Sequence, residues 1–412
     1  MNPRFRQLLL DILHVDPNRP TLDQLTSLSP ADWRNLVDEA IHFRLAHQLQ
    51  HHLLADTRAG ALPPADCLTR LAEAVRSVLV HNLGQQHQLH KMLAACRDAG
   101  LPVLLLKGLW LTEVVYGDLK ARNSGDIDLM LHPKDMPKFM AVARQLNLTA
   151  PVAAADMADL LRAQNELPLY AGDKACFDIH WSFTRPGEET PIDEARLWRR
   201  AETASVAGLP CQSLCLEDHL LYLCFHTAMH HGFLYVGPRA LLDAARLIEH
   251  PPRAIDWDDF VSSAQTLGWQ RGVWLTLELA RVYLGANPPG PVMRALHPAR
   301  VDAAVVEAAL AAIFQGQNYR DALTPNIVRL LEQGGWRQRL RLLAARLCPP
   351  REVIVSLLRE QYPHADLYGL YVRHWRRMIG DHAGKIVMLL FGARRQRAEM
   401  QRATLLKRWL ES

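Results

Sequence analysis

The chain contains no apolar run long enough to cross a bilayer. The longest late one, Ile386-Val387-Met388-Leu389-Leu390-Phe391, falls far short of the roughly 20 residues a spanning helix needs. The opening, Met1-Asn2-Pro3-Arg4-Phe5-Arg6, leads into a polar amphipathic stretch and lacks the apolar centre of a signal peptide. Cysteine is sparse. Residues 67, 96, 176, 211, 215, 224 and 348 form an odd, scattered set. Cys211 and Cys215 have no second Cys or His pair at zinc spacing. A reduced, cytoplasmic setting fits this set better than a disulfide framework. No internal repeat is visible, which argues against a solenoid.

What remains is ordinary globular composition. The chain has 412 residues, of which 49% are apolar and 22% charged, enough for two or three domains. Charge is uneven: residues 319–412 carry +10, against +4 for the whole chain. A solvated basic helical face is the preferred reading. A docking surface for an acidic partner, RNA or a membrane is the alternative.

Apolar periodicity divides the chain into four regions. Residues 1–100 read as helical, with runs at Arg6–Val15, Ala31–Leu54 and Leu71–Ala99. Ser29-Pro30 is a candidate cap and first turn, and Gly100 a stop. No catalytic cluster stands out there, so these helices are read as a buttress. Residues 101–205 read as mixed. Strands are expected at Pro102–Leu106 and Asp126–Leu131, helices at Leu109–Tyr116 and Pro133–Leu146, and a hairpin at Leu167–Tyr170 and Ala175–Trp181, turning at Gly172-Asp173. Residues 206–318 return to helices at Glu217–His231, Arg239–Glu249, Trp257–Leu267, Trp269–Leu284 and near 300–315. Residues 319–412 form a basic tail, with helices expected at 335–347 and Ala393–Leu410.

The most informative stretch is Lys107-Gly108 followed by Arg122-Asn123-Ser124-Gly125-Asp126-Ile127-Asp128-Leu129. Side chains alternate along a strand. With Ile127 and Leu129 on a core, Asp126 and Asp128 project together from the other face. Two carboxylates so placed repel each other unless a cation lies between them, and hard oxygen donors suit Mg²⁺. Gly108 can open the following helix, whose free N–H groups favour an anion. The pattern points to metal-dependent chemistry on a nucleotide.

Leu106-Lys107-Gly108, Tyr116, Arg122, Asp126-Ile127-Asp128-Leu129 and Asp178-Ile179-His180-Trp181 occur in an order that resembles the polymerase-beta-like nucleotidyltransferase superfamily. Within it, the pattern is most similar to the family called uncharacterised nucleotidyltransferases. The likeness extends through Glu217-Asp218-His219-Leu220, the His226–His231 segment and Asp243. It covers roughly residues 100 to 300 well and the tail loosely. One departure is that Lys107-Gly108 stands where many superfamily members carry Gly-Ser. The resemblance implies an α+β fold: a small mixed-sheet nucleotidyltransferase core embedded between N-terminal and C-terminal helical regions, with residues 206–318 closing a nucleotide cleft.

It also implies roles. Asp126, Asp128 and Asp178 are the expected metal ligands and catalytic acids, holding two Mg²⁺ ions about 4 Å apart. Lys107, Gly108, Arg122 and Ser124 are the expected nucleotide-binding residues, since guanidinium and ammonium groups grip phosphate oxygens; the alternative for Arg122 is a structural role, neutralising the aspartates. His180 sits two residues after Asp178 and is expected to orient a carboxylate or touch the acceptor. His226 and His230 have the i, i+4 spacing of zinc ligands. They lack the Glu of zinc proteases and a third ligand; the resemblance implies instead that they line the nucleotide cleft with Asp243. The expected reaction moves an NMP from an NTP, with ATP a candidate, to a hydroxyl or phosphate of a peptide, RNA or small molecule. The rivals are a phosphotransferase releasing NDP and a catalytically silent nucleotide-binding scaffold.

Overall fold

The computed structural model describes residues 3–16, 22–150, 157–172, 174–184, 192–315, 354, 366–376 and 394–412. Six helices precede the sheet: α1 (Pro3–Leu13), α2 (Leu22–Thr26), α3 (Pro30–His42), α4 (Ala46–Ala55), α5 (Thr57–Gly60) and the 34-residue α6 (Ala65–Asp98). Ser29 starts α3 as expected. Its hydroxyl accepts the Asp32 N–H at 3.2 Å, and the Asp32 carboxylate accepts the Ser29 N–H at 3.1 Å. With Pro30 in the first turn, this is a reciprocal capping box. Gly100 takes φ +61° just beyond α6, a left-handed stop that suits glycine.

The sheet has six strands: β1 (Leu104–Leu105), β2 (Ile127–Met130), β3 (Glu166–Ala171), β4 (Lys174–His180), β5 (Glu202–Val206) and β6 (Leu209–Ser213). Their order is β3-β4-β2-β1-β6-β5. β2 runs parallel to β4 and β1 parallel to β6, while β1 and β2 are antiparallel. The fold is thus α+β around a mixed sheet. β1 is shorter than the expected 102–106 strand; Pro102 has no N–H to give to a ladder, although the Leu106 N–H still donates to the Asp128 carbonyl at 3.1 Å.

The β5–β6 hairpin was not expected from the sequence, and it carries the sheet past residue 205 to Ser213. Its turn residues, Ala207 and Gly208, both have positive φ, at 55° and 71°. Such a two-residue turn favours Asn-Gly or Gly-Gly, so Ala207 concealed the signal.

Between the strands lie a π-helical turn (Leu111–Tyr116), a short 3₁₀ turn (Pro133–Asp135) leading into α7 (Met136–Gln145), α8 (Met157–Ala163) and α9 (Glu194–Arg200). After the sheet come α10 (Leu216–Phe225), a π turn (His226–His230), α11 (Arg239–Glu249), α12 (Trp257–Thr266), α13 (Gln270–Leu284), α14 (Gly290–Leu296) and α15 (Ala303–Ile313). α13 is the hub, packing on α1, α10, α11, α12 and α14. One continuous apolar core joins the leading helices, the sheet and this helical layer.

A helix over Arg394–Glu411 docks back on α15. Leu406 and Leu410 are buried, and the Trp409 indole N–H donates to the Arg300 carbonyl at 3.1 Å. The expected helix at 335–347 and most of the basic region lie outside the described residues, as do the side chains of Arg394, Arg395 and Arg397. No described helix is long and apolar enough to cross a membrane.

Candidate active site

β2 lies between β1 and β4, and register decides which side chains meet. Asp128 of β2 pairs directly with Asp178 of β4. Neighbouring strands lie about 4.8 Å apart, so side chains in register project side by side. Ile127, Leu129, Phe177 and Ile179 are buried on the opposite face. Asp126 stands at the bend before β2 and is exposed. The three expected carboxylates line one cleft of about 470 Å³.

Their electrostatics differ. Burial disfavours ionised Asp128, but Lys107 and His180 outweigh it and hold its carboxyl at about 2. Lys107 Nζ donates to Asp128 Oδ1 at 2.7 Å, and His180 Nε2 lies 3.3 Å from the same oxygen. Glu166 of β3, opposite His180 in the ladder, stands 3.5 Å from the other ring nitrogen. Among the described residues, Asp178 has no such partner. Burial first, then the charges of Asp128 and Asp126, push it up to about 7.

This is the signature of a site with more carboxylate than cation, and a hard divalent ion would answer it. Three oxygen donors lining one cleft fit such an ion. Among the described residues, no three His, Cys, Asp or Glu side chains already converge as a metal-ligand cluster, and Lys107 occupies one oxygen of Asp128.

The Lys107-Gly108 turn is fixed by sterics. Gly108 has φ +72°, and a Cβ there would lie 3.1 Å from the Asp126 carbonyl oxygen. Only glycine lets this backbone pass so close to the acidic strand. Arg122 does not present a free guanidinium to a phosphate as the sequence suggested. It donates to both Asp243 oxygens, at 2.8 and 3.0 Å, and to the Gly108 carbonyl at 3.0 Å. Tyr116 donates to the same Asp243 carboxylate at 2.8 Å. Arg122 and Asp243 therefore stand in the cleft wall as a buried pair that ties α11 to the Gly108 turn. Ser124 also departs from its expected place. It is fully buried, shares a 3.1 Å hydrogen bond with Thr112, and does not line the cleft.

The opposite wall comes from α10 and the π turn after it. His226, His230 and His231 line the cleft there with Tyr222. The imidazoles of His226 and His231 approach to 3.3 Å. Burial, with the charge of Lys107 added, keeps His226 far below the usual imidazole range.

Sequence reasoning missed the supports behind the Arg122–Gly125 loop. From α6, His81 Nε2 lies 2.7 Å from the Ser124 carbonyl. Asn82 donates to the Leu119 and Arg122 carbonyls at 2.6 and 2.7 Å and accepts the Ser124 N–H at 3.0 Å. Gln85 donates to the Gly125 carbonyl at 2.7 Å. The signal was present. Asn82 and Gln85 interrupt a buried stripe otherwise made of Leu71, Val75, Leu89 and Met92, and polar groups in such positions need partners.

Asp126, Asp128 and Asp178 thus line one cleft beside the Lys107-Gly108 turn on a mixed sheet. Residues 29–285 match a family described as uncharacterised nucleotidyltransferase, and the chain belongs to that family. The match begins at the cap of α3 and ends just past α13, so it takes in most of the leading helices, which the sequence resemblance had left out. A comparison with curated proteins finds no match.

Among solved structures, the solution structure of the antibiotic-resistance factor ANT(2'')-Ia is 16% identical. The overlap covers 50% of this chain and 91% of that one, with a TM-score of 0.27. The crystal structure of ANT(2'')-Ia in complex with adenylyl-2''-tobramycin is 17% identical over 50% of this chain and 99% of that one, with a TM-score of 0.26. Overlaps this loose carry no assignment of substrate.

Proposed function

We propose that this nucleotidyltransferase moves an NMP from an NTP, with ATP the first candidate, to a hydroxyl or phosphate of an acceptor and releases pyrophosphate. The observation that carries the reading is the in-register pair Asp128–Asp178 beside Asp126, with Asp178 held near 7 by its neighbours. Asp126, Asp128 and Asp178 would hold Mg²⁺. When bound, such an ion neutralises developing charge on the reacting phosphate and on the attacking and leaving oxygens.

The rest is done by the chain's own groups. Lys107 holds Asp128 ionised and places a positive charge at the cleft floor. His180 fixes the orientation of Asp128 from β4. Asp178 is the group placed to take a proton from the acceptor hydroxyl. Arg122 acts through Asp243 as a positioning residue, holding the Gly108 turn. Tyr222 and the imidazoles of His226 and His231, kept neutral by burial, offer flat, uncharged faces against which a base or planar acceptor can stack.

The test is ³¹P NMR of each NTP incubated with the protein, Mg²⁺ and a panel of hydroxyl-bearing acceptors. Pyrophosphate is the expected product. Accumulation of NDP instead would make the protein a phosphotransferase, and no turnover under any condition would favour a binding scaffold.

A further inference from the structure

Both cations expected from the motif are already committed, Lys107 to Asp128 and Arg122 to Asp243. The same cleft is lined by two other guanidiniums, those of Arg44 and Arg239. Among the described residues, neither makes an ion pair with a carboxylate. They flank one short turn. Arg239, the first residue of α11, donates to the Asn123 carbonyl. Arg44 reaches over Gly125, where a Cβ would stand 3.9 Å from its Nη1. That turn leads directly into Asp126. Asp243 attracts Arg239 but already holds Arg122 and Tyr116. Burial, then the charge of Arg122, brings Arg239 down to about 10. Among the described residues, no carboxylate forms an ion pair with either guanidinium at this corner of the cleft.

Arg44 adds an independent observation. It follows α3 with φ +60°. The Arg44 N–H donates to the Ile41 carbonyl at 3.0 Å and the Leu45 N–H to the Ala40 carbonyl at 2.7 Å. This is a Schellman ending, whose left-handed position glycine normally fills because a Cβ is strained there. An exposed arginine held against that preference, with its guanidinium over the cleft, indicates a use for the side chain.

We propose that Arg44 and Arg239 form a polyphosphate grip, holding the β- and γ-phosphates of the nucleoside triphosphate against the Asn123–Gly125 turn. The proposal rests on the nucleotidyl-transfer reading only for the identity of the ligand. Two guanidinium forks match the charge and the oxygen spacing of a polyphosphate. The turn's position next to Asp126 places the phosphate chain beside the acids.

The test is calorimetric binding of inorganic tripolyphosphate, ATP and AMP to the full chain, comparing wild type with Arg44→Gly and Arg239→Gln. Each variant should bind tripolyphosphate and ATP about 10- to 100-fold more weakly, with AMP affinity changed by less than about 3-fold. Arg44→Gly should also melt at the same or a higher temperature, because it removes the Cβ from a left-handed position. A purely structural Arg44 would not combine retained stability with lost affinity.

Tripolyphosphate binding that is absent in wild type, or equal to wild type in either variant, would overturn the grip. So would equal losses for ATP and AMP. Tripolyphosphate carries no nucleoside, so these outcomes are independent of the reaction. Wild type releasing NDP would end the transfer reading and leave the grip standing. Normal transfer with unaltered binding in the variants would do the reverse.

Discussion

Asp178→Asn should stabilise the metal-free protein above neutral pH. The carboxyl is moved from 3.8 to about 7 by burial and by Asp128 and Asp126. Its folded pKa lies above its unfolded one, so between pH 4 and 7 the folded chain keeps a proton that the unfolded chain has released. The penalty is absent below the unfolded value and complete above the folded one, and stability falls as pH rises through that window. A displacement of this size corresponds to about 4 kcal/mol at most. Asparagine keeps the shape without the charge.

Denaturant unfolding in chelator at pH 4.5 and pH 8, compared between the two proteins, isolates the effect. His231, pushed down to about 3 by burial, and His226 lose stability toward acid instead. They are common to both proteins and cancel in the difference. The variant should gain about 4 kcal/mol on wild type at pH 8 and only about 1 kcal/mol at pH 4.5, and Mg²⁺ should restore wild type selectively at pH 8. A difference that is independent of pH, or larger in acid, would refute the crowding of three carboxylates.

Asp126→Ala should abolish transfer with the fold intact, since Asp126 is exposed. Asp128→Ala should abolish transfer and also cost about 3–5 kcal/mol by stranding the buried charge of Lys107. Adding Lys107→Met should recover stability but not activity, as read by denaturation and product assay. Arg122→Ala and Asp243→Ala should each destabilise by about 3–5 kcal/mol and be far from additive in a double-mutant cycle; additive losses would dissolve the pair. Gly108→Ala should lower turnover more than stability. Its φ of +72° and the 3.1 Å approach to Asp126 displace the acidic strand itself, and unchanged kcat would contradict that.

The acidic strand and the Lys-Gly turn were legible because their chemistry is local: alternation places Asp126 and Asp128. Asp178 was expected from the resemblance, since β4 meets β2 only through a parallel crossover. The long-range partners were not. Nothing in the sequence near Arg122 says that Asp243, more than 100 residues later, will claim its guanidinium, and so Arg122 reads as a phosphate ligand or a partner of the nearby Asp126 and Asp128. Ser124 is misread for the same reason: Asn82 draws the loop backbone inward and Thr112 takes the hydroxyl. Arg44 and Arg239 carry no motif at all. Arg44 lies in a turn between helices read from sequence as one continuous run, and only the left-handed backbone there marks it. Most helices of 206–318 were legible almost to the residue because their apolar faces are long and periodic, whereas the short α14 (Gly290–Leu296) was not expected. The β5–β6 hairpin is short and its turn lacks the usual residues.

Transfer of the α-phosphate is tested most directly by label. Acceptor panels incubated with protein, Mg²⁺ and NTP labelled at the α- or the γ-phosphate should show the α-label on the acceptor, with the acceptor heavier by one NMP, and the γ-label in pyrophosphate. An acceptor that carries the γ-label, with the α-label in NDP, would contradict nucleotidyl transfer.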